Sequence, residues 1–406
     1  MKLKKLAYRS SHVVMKGAMA VIKIPTPSVL TGSGMVKRFP EIIKSCHVDH
    51  ILLVTDKSLM SLGLLDTFIN SLQQTDIHYT IYDGVQPNPT MENIQEGLAL
   101  YHANHCNGIV AFGGGSSMDC AKIIGARVTN KESIEKMRGL FKIVKKLPPF
   151  FAIPTTAGTG SEATIAAVIT NSANHEKFAI SDPKLVPLAA CLDPELTVGL
   201  PDFLTAHTGM DALTHAVEAY IGWYDTPFVR EKALNATKII FRDLEKVYRD
   251  GSNLELRKNM LQASFDAGLA FTRAYVGYVH AIAHNMGGMY GVPHGFANAV
   301  ILPHVLDFSK DKIEKKLAEL AVYSGLGHLE EDESILAARF INRIKEMNNN
   351  MNIPATIDAL KPEDIGFLTK RILKEGNPTY PVPKIMDYDD CYTILEDLVT
   401  PISYQA

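Results

Sequence analysis

Cysteine and tryptophan are scarce in this sequence, and long hydrophobic runs are missing. The 406 residues include five cysteines and one tryptophan, and the cysteines are scattered, odd in number and never spaced as C-x-x-C. This pattern excludes a disulfide framework and a zinc-ribbon site, and it indicates a reducing compartment. No run of about 18 apolar residues occurs, so we expect no transmembrane helix. We therefore predict a cytoplasmic protein with no membrane partner.

An excess of charge of either sign is also missing. The formal net charge is -3, and 21% of the residues are charged, as in an ordinary globular protein. No electrostatic argument therefore favours a nucleic-acid or acidic-membrane partner. The N-terminal segment is basic, but Lys16 and Lys23 interrupt its apolar part, which makes a poor signal-peptide core. A mitochondrial presequence stays open as an alternative to a plain N-terminal extension.

The chain changes character near residue 200. Before that point, short strand patterns alternate with segments of helical spacing. Apolar runs typical of buried strands occur at 50–55, 108–112 and 148–153, and residues 78–82 alternate as a strand does. This alternation predicts a parallel sheet with helices on both faces. Later the helical patterns dominate, and the predicted helices are 206–222, 226–248, 254–272, 274–288 and 295–308. We predict an α/β domain over residues 1–200 and an all-α domain over 201–406.

Polar residues follow three of the predicted strands, where a parallel sheet binds its ligands. The run from Gly113 to Ser117 precedes a helix, so its amides could bind a phosphate, although a tight connection would look the same. Asp56 could accept hydrogen bonds from a ribose diol or cap the next helix. Thr155, Thr156 and Thr159 could hold an adenine or a ribose, or serve the turn itself.

Three histidines fall within fifteen residues of the helical half. His280 and His284 are four residues apart, so they share one face of a helix. Glycines and a proline over residues 287–293 are expected to break that helix, and His294 follows the break. A helix, a turn and a returning histidine can direct imidazoles to one point, which is the geometry of a metal site.

A second helical pattern offers partners for these histidines. Asp211 and His215 are four residues apart in an otherwise apolar segment. A buried aspartate is costly unless it is paired or binds a cation, and an Asp–His hydrogen bond would serve as well as a metal. Five candidates then compete for four ligand places, and His284 could be a ligand or an acid/base group beside the metal. One carboxylate with imidazoles favours Fe(II) or Zn(II).

The ordered motifs resemble the iron-containing (group III) alcohol dehydrogenase family. The resemblance runs over residues 23–385. It rests on V-T-D at 54–56, P-N-P-T at 87–90, G-G-G-S-x-x-D at 113–119, P-T-T-A-G-T-G-S-E at 154–162, T-G-x-D-A-L-T-H-A-x-E-A-Y at 208–220, H-A-x-A-H at 280–284 and P-H-G-x-A-N-A at 293–299. This ordered set is highly specific.

The resemblance implies a Rossmann-like dinucleotide-binding domain followed by an all-α domain, in a dehydroquinate synthase-like architecture with the metal in the cleft. It implies that the metal ligands are Asp211, His215, His280 and His294. It assigns His284 to proton relay and Phe271 to the substrate pocket. It places the nicotinamide dinucleotide against Asp56, Asn88, Gly114, Gly115, Ser116, Thr155, Thr156, Thr159 and Lys177.

The implied activity is a reversible NAD-dependent interconversion of small or primary alcohols, or diols, and aldehydes. One divalent metal, Fe(II) first and Zn(II) second, would polarise the alcohol oxygen. A carboxylate at Asp56 would repel a 2′-phosphate, which favours NAD over NADP. Family members are commonly homodimers or larger, so we expect a homo-oligomer.

Several alternatives stay open at this stage. A glycerol- or hydroxyacid-type dehydrogenase, a dehydroquinate synthase-like lyase and a catalytically dead binding protein are the alternative functions. Arg273, Tyr275 and Tyr278 either shape a pocket for a hydroxylated or acidic substrate or pack at an interface.

Overall fold

The computed structural model describes residues 2–172 and 176–400. The helices in this part are α1 (Lys2–Val21), α2 (Phe39–Ser45), α3 (Lys57–Ser61), α4 (Asp66–Gln74), α5 (Met91–Ala103), α6 (Gly115–Thr129), α7 (Ile134–Met137), α8 (Asp202–Ile221), α9 (Pro227–Arg249), α10 (Leu254–Ala274), α11 (Tyr278–Tyr290), α12 (His294–Tyr323), α13 (Glu333–Asn350), α14 (Ile365–Gly376) and α15 (Tyr388–Asp397). The strands are β1 (Ser28–Thr31), β2 (His50–Val54), β3 (His78–Tyr82), β4 (Gly108–Gly113), β5 (Gly139–Leu140), β6 (Phe150–Pro154), β7 (Ala166–Asn171), β8 (Glu176–Ser181) and β9 (Ala189–Leu192). Among the described residues, no helix is long and apolar enough to cross a membrane.

The described residues form two compact units. Lys23–Leu200 and Asp250–Thr272 make up the α/β unit, and the other described residues make up the helical unit. The chain changes unit between Leu200 and Pro201, where the sequence changes character. The units differ from the predicted ranges in two segments, because α1 joins the helical unit and most of α10 joins the α/β unit. The domain division at residues 1–200 and 201–406 stays a prediction.

The α/β unit contains a six-stranded sheet in which every neighbouring pair is parallel. Its strand order is β1-β9-β6-β4-β2-β3. From β2 the chain first adds β3 on one side and then β4 on the other, so the strand order reverses at β2. Such a reversal opens a crevice at the carboxyl ends of the two flanking strands. The predicted fold class, a parallel α/β sheet followed by a helical region, is confirmed.

Four of the nine described strands, β2, β3, β4 and β6, were predicted from the sequence. Leu52, Val54, Val110 and Ile153 are fully buried in β2, β4 and β6, as expected for a sheet covered on both faces. The strands β1, β5, β7, β8 and β9 are missing from the prediction. Of these, β7 and β8 pair antiparallel beside β5, and eight of their twelve residues are at least partly exposed, so their apolar pattern is weak.

Backbone contact explains why α10 belongs to the α/β unit. A Cβ atom at Gly268 would lie only 2.6 Å from the carbonyl oxygen of Gly160. Only glycine allows this approach of α10 to the loop after β6. The Thr272 hydroxyl also accepts a hydrogen bond from the Ile165 N–H at 2.9 Å. Helical periodicity predicts that α10 exists, but it carries no information about this distant partner.

The helical unit is centred on α8, in which every residue from Gly209 to Ile221 is buried. The start of α12 lies very close to it, since a Cβ atom at Gly295 would be 2.4 Å from the carbonyl oxygen of His207. The helix α11 extends further than the sequence predicted. The helix continues through Gly287 and Gly288 and ends before Gly291, where φ is 70°. Glycine inside a helix costs about 1 kcal/mol, which tertiary packing can offset.

The basic N-terminal segment forms α1, which is anchored through polar side chains. Arg9 donates hydrogen bonds to the carbonyl oxygens of residues 382 and 383, both at 2.5 Å, and its guanidinium lies 4.5 Å from the ring centre of Trp223. His12 is buried, and its Nε2 lies 2.9 Å from the carbonyl oxygen of Pro378. These contacts fix α1 to the segment that joins α14 and α15.

We predict that Arg9→Ala destabilises the protein by about 1–3 kcal/mol, because two charge-assisted hydrogen bonds and a cation–π contact are lost. Thermal and urea unfolding of the full chain measure this effect. Lys16→Ala is the matched control, since Lys16 is exposed on the same helix. That control should change stability by less than about 0.5 kcal/mol. Equal effects of the two substitutions would contradict the anchoring role of Arg9.

Candidate functional site

Four side chains from three helices converge inside the helical unit. Asp211 and His215 lie on α8, His280 lies on α11, and His294 is the first residue of α12. One ligand atom from each lies within 4.8 Å of the others, and no second group of this kind occurs in the described part of the chain. Asp211 Oδ1 lies 3.7 Å from His215 Nε2, 3.9 Å from His280 Nε2 and 3.5 Å from His294 Nε2. The group contains the four ligands that the family resemblance implies, and it does not contain His284.

These separations fit a divalent metal. A tetrahedral site with metal–ligand distances of about 2.1 Å places its ligand atoms about 3.4 Å apart. The distances from Asp211 Oδ1 to the three imidazole nitrogens are close to that value, between 3.5 and 3.9 Å. One carboxylate and three imidazoles are a donor set that suits Fe(II) and Zn(II). The residues present would therefore hold such a metal.

The electrostatics of the group also favour a cation at its centre. Burial raises the pKa of the Asp211 carboxyl, and it lowers the pKa of the His215 and His280 imidazoles well below their usual value. Neutral imidazoles keep their lone pairs for a metal, and a cation would offset the cost of burying the carboxylate. The His294 side chain is 39% exposed against 2% for His280, so the group is open to solvent on the His294 side.

Glu218 orients His280 from the side opposite Asp211. Its Oε2 accepts hydrogen bonds from His280 Nδ1 at 2.6 Å and from the Gly277 N–H at 2.8 Å, and its Oε1 accepts one from the Val279 N–H at 2.8 Å. Burial raises the pKa of Glu218 to about 7, and the two backbone N–H groups oppose that rise. With Nδ1 bound to Glu218, only Nε2 of His280 is available to a metal.

His284 has a carboxylate partner of its own. Its Nδ1 lies 2.7 Å from Glu375 Oε1, on α14. Its ring stacks on that of His294, with the ring centres 5.3 Å apart and the planes inclined by 13°. The histidine that the resemblance assigns to proton relay thus lies beside a candidate ligand but outside the ligand group.

Asn298 lies one turn after His294 and contacts three of the four candidate ligands. Its Nδ2 lies 2.7 Å from Asp211 Oδ1, 3.1 Å from His294 Nε2 and 3.3 Å from His280 Nε2. An amide at this position can donate hydrogen bonds to the same atoms that would bind a metal. Asn298 is therefore part of the site, although only its place in a motif marked it in the sequence.

In the α/β unit, the glycine turn after β4 leads directly into α6. The helix begins at Gly115 and is preceded by Gly114, so its first N–H groups have no partner within the helix and could bind a phosphate. Ser116 Oγ accepts a hydrogen bond from the Asn88 N–H at 3.3 Å, and Lys177 Nζ donates to Asn88 Oδ1 at 2.8 Å. The structure brings these five predicted cofactor residues together.

Asp56 follows β2, on the other side of the strand-order reversal from the glycine turn. Its Oδ1 accepts hydrogen bonds from the N–H groups of Ser58 at 2.9 Å and Leu59 at 3.1 Å. The capping role is therefore present in the structure. Both bonds use the same oxygen, so the cap does not exclude a ribose contact, which stays a prediction.

The three predicted threonines lie on the loop after β6, the strand next to β4. Thr155 donates its N–H to the carbonyl oxygen at the end of β4 at 3.1 Å. Thr159 Oγ1 accepts a hydrogen bond from the N–H two residues later at 3.3 Å, which is turn chemistry. Thr156 packs next to Gly114. All three are close to the glycine turn, and their cofactor contacts stay predictions.

A buried lysine holds this threonine loop in place. Lys122 Nζ donates to the backbone and hydroxyl oxygens of Ser161 and Thr164 and to the carbonyl oxygen of Ala166, at 2.7–3.1 Å. Burial lowers the pKa of Lys122 to about 8, and the charge of Asp119 opposes that fall. The helical pattern of α6 gave no sign of this role, because its partners are about 40 residues away.

Phe271, the predicted substrate residue, lies on α10 and is half-buried. It belongs to the α/β unit, next to the residue that anchors α10 to Ile165. Its role in a substrate pocket stays a prediction.

The bulky residues before His280 make packing contacts within the helical unit. The Arg273 guanidinium lies 4.4 Å from the ring centre of Phe228. Tyr275 packs edge-on against a neighbouring tyrosine at 5.9 Å, and the buried Tyr278 donates its hydroxyl to Asn377 Oδ1 at 2.7 Å. These contacts favour packing over a polar substrate pocket, most directly for Tyr278.

The sequence prediction missed the residues that orient the histidines. Glu218 could have been found, because it lies three residues after His215 on the same buried helix and needs a partner there. Glu375 could not, because it is 91 residues from His284 and lies in an ordinary amphipathic pattern.

Comparisons with known proteins agree over nearly the whole chain. The profile described as iron-containing alcohol dehydrogenase matches residues 25–194, and the profile of the C-terminal domain of the Fe-containing alcohol dehydrogenase family matches residues 205–399. A 1,3-propanediol dehydrogenase of Klebsiella pneumoniae is 41% identical over 335 residues, which cover 80% of this chain and 85% of that protein. An NAD-dependent methanol dehydrogenase of Bacillus methanolicus is 36% identical over 92% of this chain and 98% of that protein.

The fold is also similar to solved structures. The crystal structure of a 1,3-propanediol oxidoreductase superposes with a TM-score of 0.89 at 36% sequence identity, covering 93% of this chain and all of that one.

We predict that Glu218→Gln weakens metal binding by about 10–100-fold, because an amide offers one acceptor oxygen to three donors and releases His280. Titration of the metal-free protein with Zn(II) alone, followed by calorimetry, measures the affinity. Glu319→Gln is the matched control. Glu319 accepts a hydrogen bond from the hydroxyl of Tyr220, which lies on α8 as Glu218 does. Equal Zn(II) affinity in Glu218→Gln and the wild type would contradict the orienting role.

Proposed function

The chain belongs to the iron-containing alcohol dehydrogenase family, and from this premise we propose that it is an NAD-dependent dehydrogenase of small or primary alcohols and diols. The reverse reaction would reduce the corresponding aldehydes. The observation that carries the proposal is the convergence of Asp211, His215, His280 and His294 on one point, at separations suited to a divalent metal. Names of similar proteins, among them 1,3-propanediol and methanol dehydrogenases, support small alcohols and diols as substrates.

The proposed division of labour follows from the chemistry of each group. When bound, a divalent metal supplies Lewis-acid polarisation of an alcohol or carbonyl oxygen, and NAD supplies the hydride acceptor or donor. Asp211 and the three imidazoles would hold the metal, with Fe(II) as the first candidate and Zn(II) as the second. His284 would accept or return the alcohol proton, because it stacks against His294 outside the ligand group.

We predict that His280→Ala removes bound metal and lowers kcat/KM by about 100-fold or more, because one of four ligands is lost. Metal content and alcohol-dependent NADH formation are measured on the same preparations, after anaerobic loading with Fe(II) or Zn(II). His207→Ala is the matched control, since His207 lies one turn before Asp211 on α8 but outside the ligand group. Full activity in a chelated, metal-free wild type would refute the metal-dependent mechanism.

Support for NAD comes from the loops at the carboxyl ends of β2 and β4. The turn at Gly114 and Gly115 offers the first N–H groups of α6 to a pyrophosphate. Beside this turn, Asn88 donates its N–H to Ser116 and accepts a hydrogen bond from Lys177. Asp56 lies across the strand-order reversal, where a carboxylate would accept a ribose diol and repel a 2′-phosphate. We therefore propose NAD rather than NADP as the cofactor.

We predict that the wild type prefers NAD, and that Asp56→Asn shifts the ratio of kcat/KM values toward NADP by about tenfold, because a like charge is removed. Asparagine caps helices as well as aspartate does, so α3 should remain intact. Asp66→Asn, an exposed substitution in the same unit, is the control. Steady-state kinetics with both cofactors measure the ratio, and a strong NADP preference in the wild type would overturn the assignment.

Other properties of the proposed enzyme follow from the family resemblance. We propose Phe271 as a substrate-pocket residue and Thr155, Thr156 and Thr159 as cofactor contacts, as the family resemblance implies. A cytoplasmic location and a homodimeric or larger assembly are proposed on the same basis. Sedimentation of the purified chain tests the assembly.

A further inference from the structure

The last turn of α14 contains a carboxylate that no part of the proposed catalytic assignment has used. Glu375 is the last but one residue of α14, and its Oε1 lies 2.7 Å from His284 Nδ1. Both side chains are about one-third exposed, at 30% for Glu375 and 29% for His284. Partly exposed contacts of this kind are worth little when they are isolated. The surroundings of Glu375 decide whether this one is isolated.

Three donors hold the Glu375 carboxylate. The Tyr380 hydroxyl donates to Oε1 at 2.9 Å, and the Asn285 amide donates to Oε2 at 3.1 Å. Asn285 is itself fixed by a second hydrogen bond to the carbonyl oxygen of Ala281 at 2.8 Å. With His284, both carboxylate oxygens are therefore engaged, and the pair is part of a network rather than a mobile surface contact.

The network determines which nitrogen of His284 carries the hydrogen. Burial, reinforced by the nearby Glu375, raises the pKa of Tyr380 well above its usual value, so the phenol keeps its proton and donates it in the hydrogen bond. The carboxylate is then an acceptor toward all three partners, and His284 must donate through Nδ1. In the neutral ring, Nε2 is left with its lone pair.

The ring of His284 is also fixed in place. It stacks on His294 with the ring centres 5.3 Å apart, and it meets the ring of His280 at 5.9 Å. A flip of the imidazole about its χ2 angle would break the bond from Nδ1 to Glu375. The orientation beside the two candidate ligands therefore depends on that bond.

We propose that Glu375 is the positioning residue for His284, holding the imidazole in one tautomer and one orientation beside the metal ligands, and that Tyr380 keeps Glu375 in place. The inference rests on the proposed function, because it assigns Glu375 an effect on turnover through His284. It parallels the bond from Glu218 to His280 one turn earlier on α11. The two carboxylates differ in consequence, since Glu218 orients a candidate ligand and Glu375 orients the histidine outside the ligand group.

The N-terminal helix contributes to the same arrangement. Tyr380 lies in the segment between α14 and α15, and α1 contacts this segment through Arg9 and His12. Both family profiles leave residues 2–21 unmatched, because the first begins at residue 25. The segment that carries Tyr380 is therefore supported by α1, a helix that lies outside the residues matched by the family profiles.

The test compares Glu375→Ala, Glu375→Gln and Tyr380→Phe in the metal-loaded, full-length enzyme. Glu375→Ala should lower kcat by about 10–100-fold, with the KM for NAD and the Zn(II) affinity within about threefold of the wild type. Glu375→Gln should recover part of kcat, because its amide oxygen can still accept the Nδ1 hydrogen. Tyr380→Phe should have a smaller effect of the same kind.

Tyr290→Phe is the matched control for Tyr380→Phe. Tyr290 lies on α11, like His284, and its hydroxyl donates to Asp364 Oδ2 at 2.7 Å, at the other end of α14. The control removes the same kind of bond, from a tyrosine hydroxyl to a carboxylate, at the end of α14 away from Glu375. It should therefore leave kcat within about twofold of the wild type. Equal losses of kcat in Tyr290→Phe and Tyr380→Phe would assign the effect to general packing around α14 and overturn the proposal.

A measurement without turnover separates this inference from the proposed function. Long-range ¹H–¹⁵N spectra of the Zn(II)-loaded protein with ¹⁵N-labelled histidine report the tautomer of each imidazole, and His284→Gln identifies the His284 signals. We expect the Nδ1–H form in the wild type and a mixture in Glu375→Ala. An Nε2–H form in the wild type, or unchanged kcat in Glu375→Ala, overturns the proposal, as does metal loss in step with kcat. If no alcohol yields NADH, the proposed function fails while the spectra still decide on Glu375.

Discussion

A carboxylate buried in an apolar helix is costly unless it is paired or binds a cation, and the side chains around Asp211 meet that requirement. Every residue of α8 from Gly209 to Ile221 is buried, so Asp211 has no access to bulk water through its own helix. The imidazoles around Asp211 do not supply the missing positive charge, because burial lowers the pKa of His215 and His280 well below the usual value. Neutral imidazoles offer lone pairs instead. A divalent metal is the species that satisfies both kinds of group.

Two further carboxylates distinguish the roles of the two histidines of α11. Glu218 is fully buried and takes Nδ1 of His280, which leaves Nε2 for the ligand group around Asp211. Glu375 is partly exposed and takes Nδ1 of His284, whose ring remains outside that group. Since the histidines are one turn apart on one helix face, their own positions do not distinguish them. The difference arises from carboxylates on α8 and α14, which are distant in sequence.

Features of this chain that depend on local residue patterns were easier to predict than features that depend on contacts between distant residues. Runs such as 50–54 and 108–113 are continuous and apolar, so buried parallel strands could be predicted from them. The short strands β7 and β8 pair with one another along half-exposed faces, and their pattern was too weak. The end of α11 was placed too early, since the helix continues through Gly287 and Gly288 despite their low helix propensity. The placements of α1 and α10 depend on partners far along the chain.

By itself, the sequence determined the alternation of strands and helices, the polar loops after β2, β4 and β6, and the candidate set of one aspartate and four histidines. Residue spacing settles these features because strands, helices and turns obey local rules. Only the tertiary structure decided which histidines meet Asp211, since Gly295 lets α12 approach α8 and bring His294 to it. It also decided that Glu218 and Glu375 orient His280 and His284, because hydrogen bonds across 62 and 91 residues leave no periodic trace in the sequence.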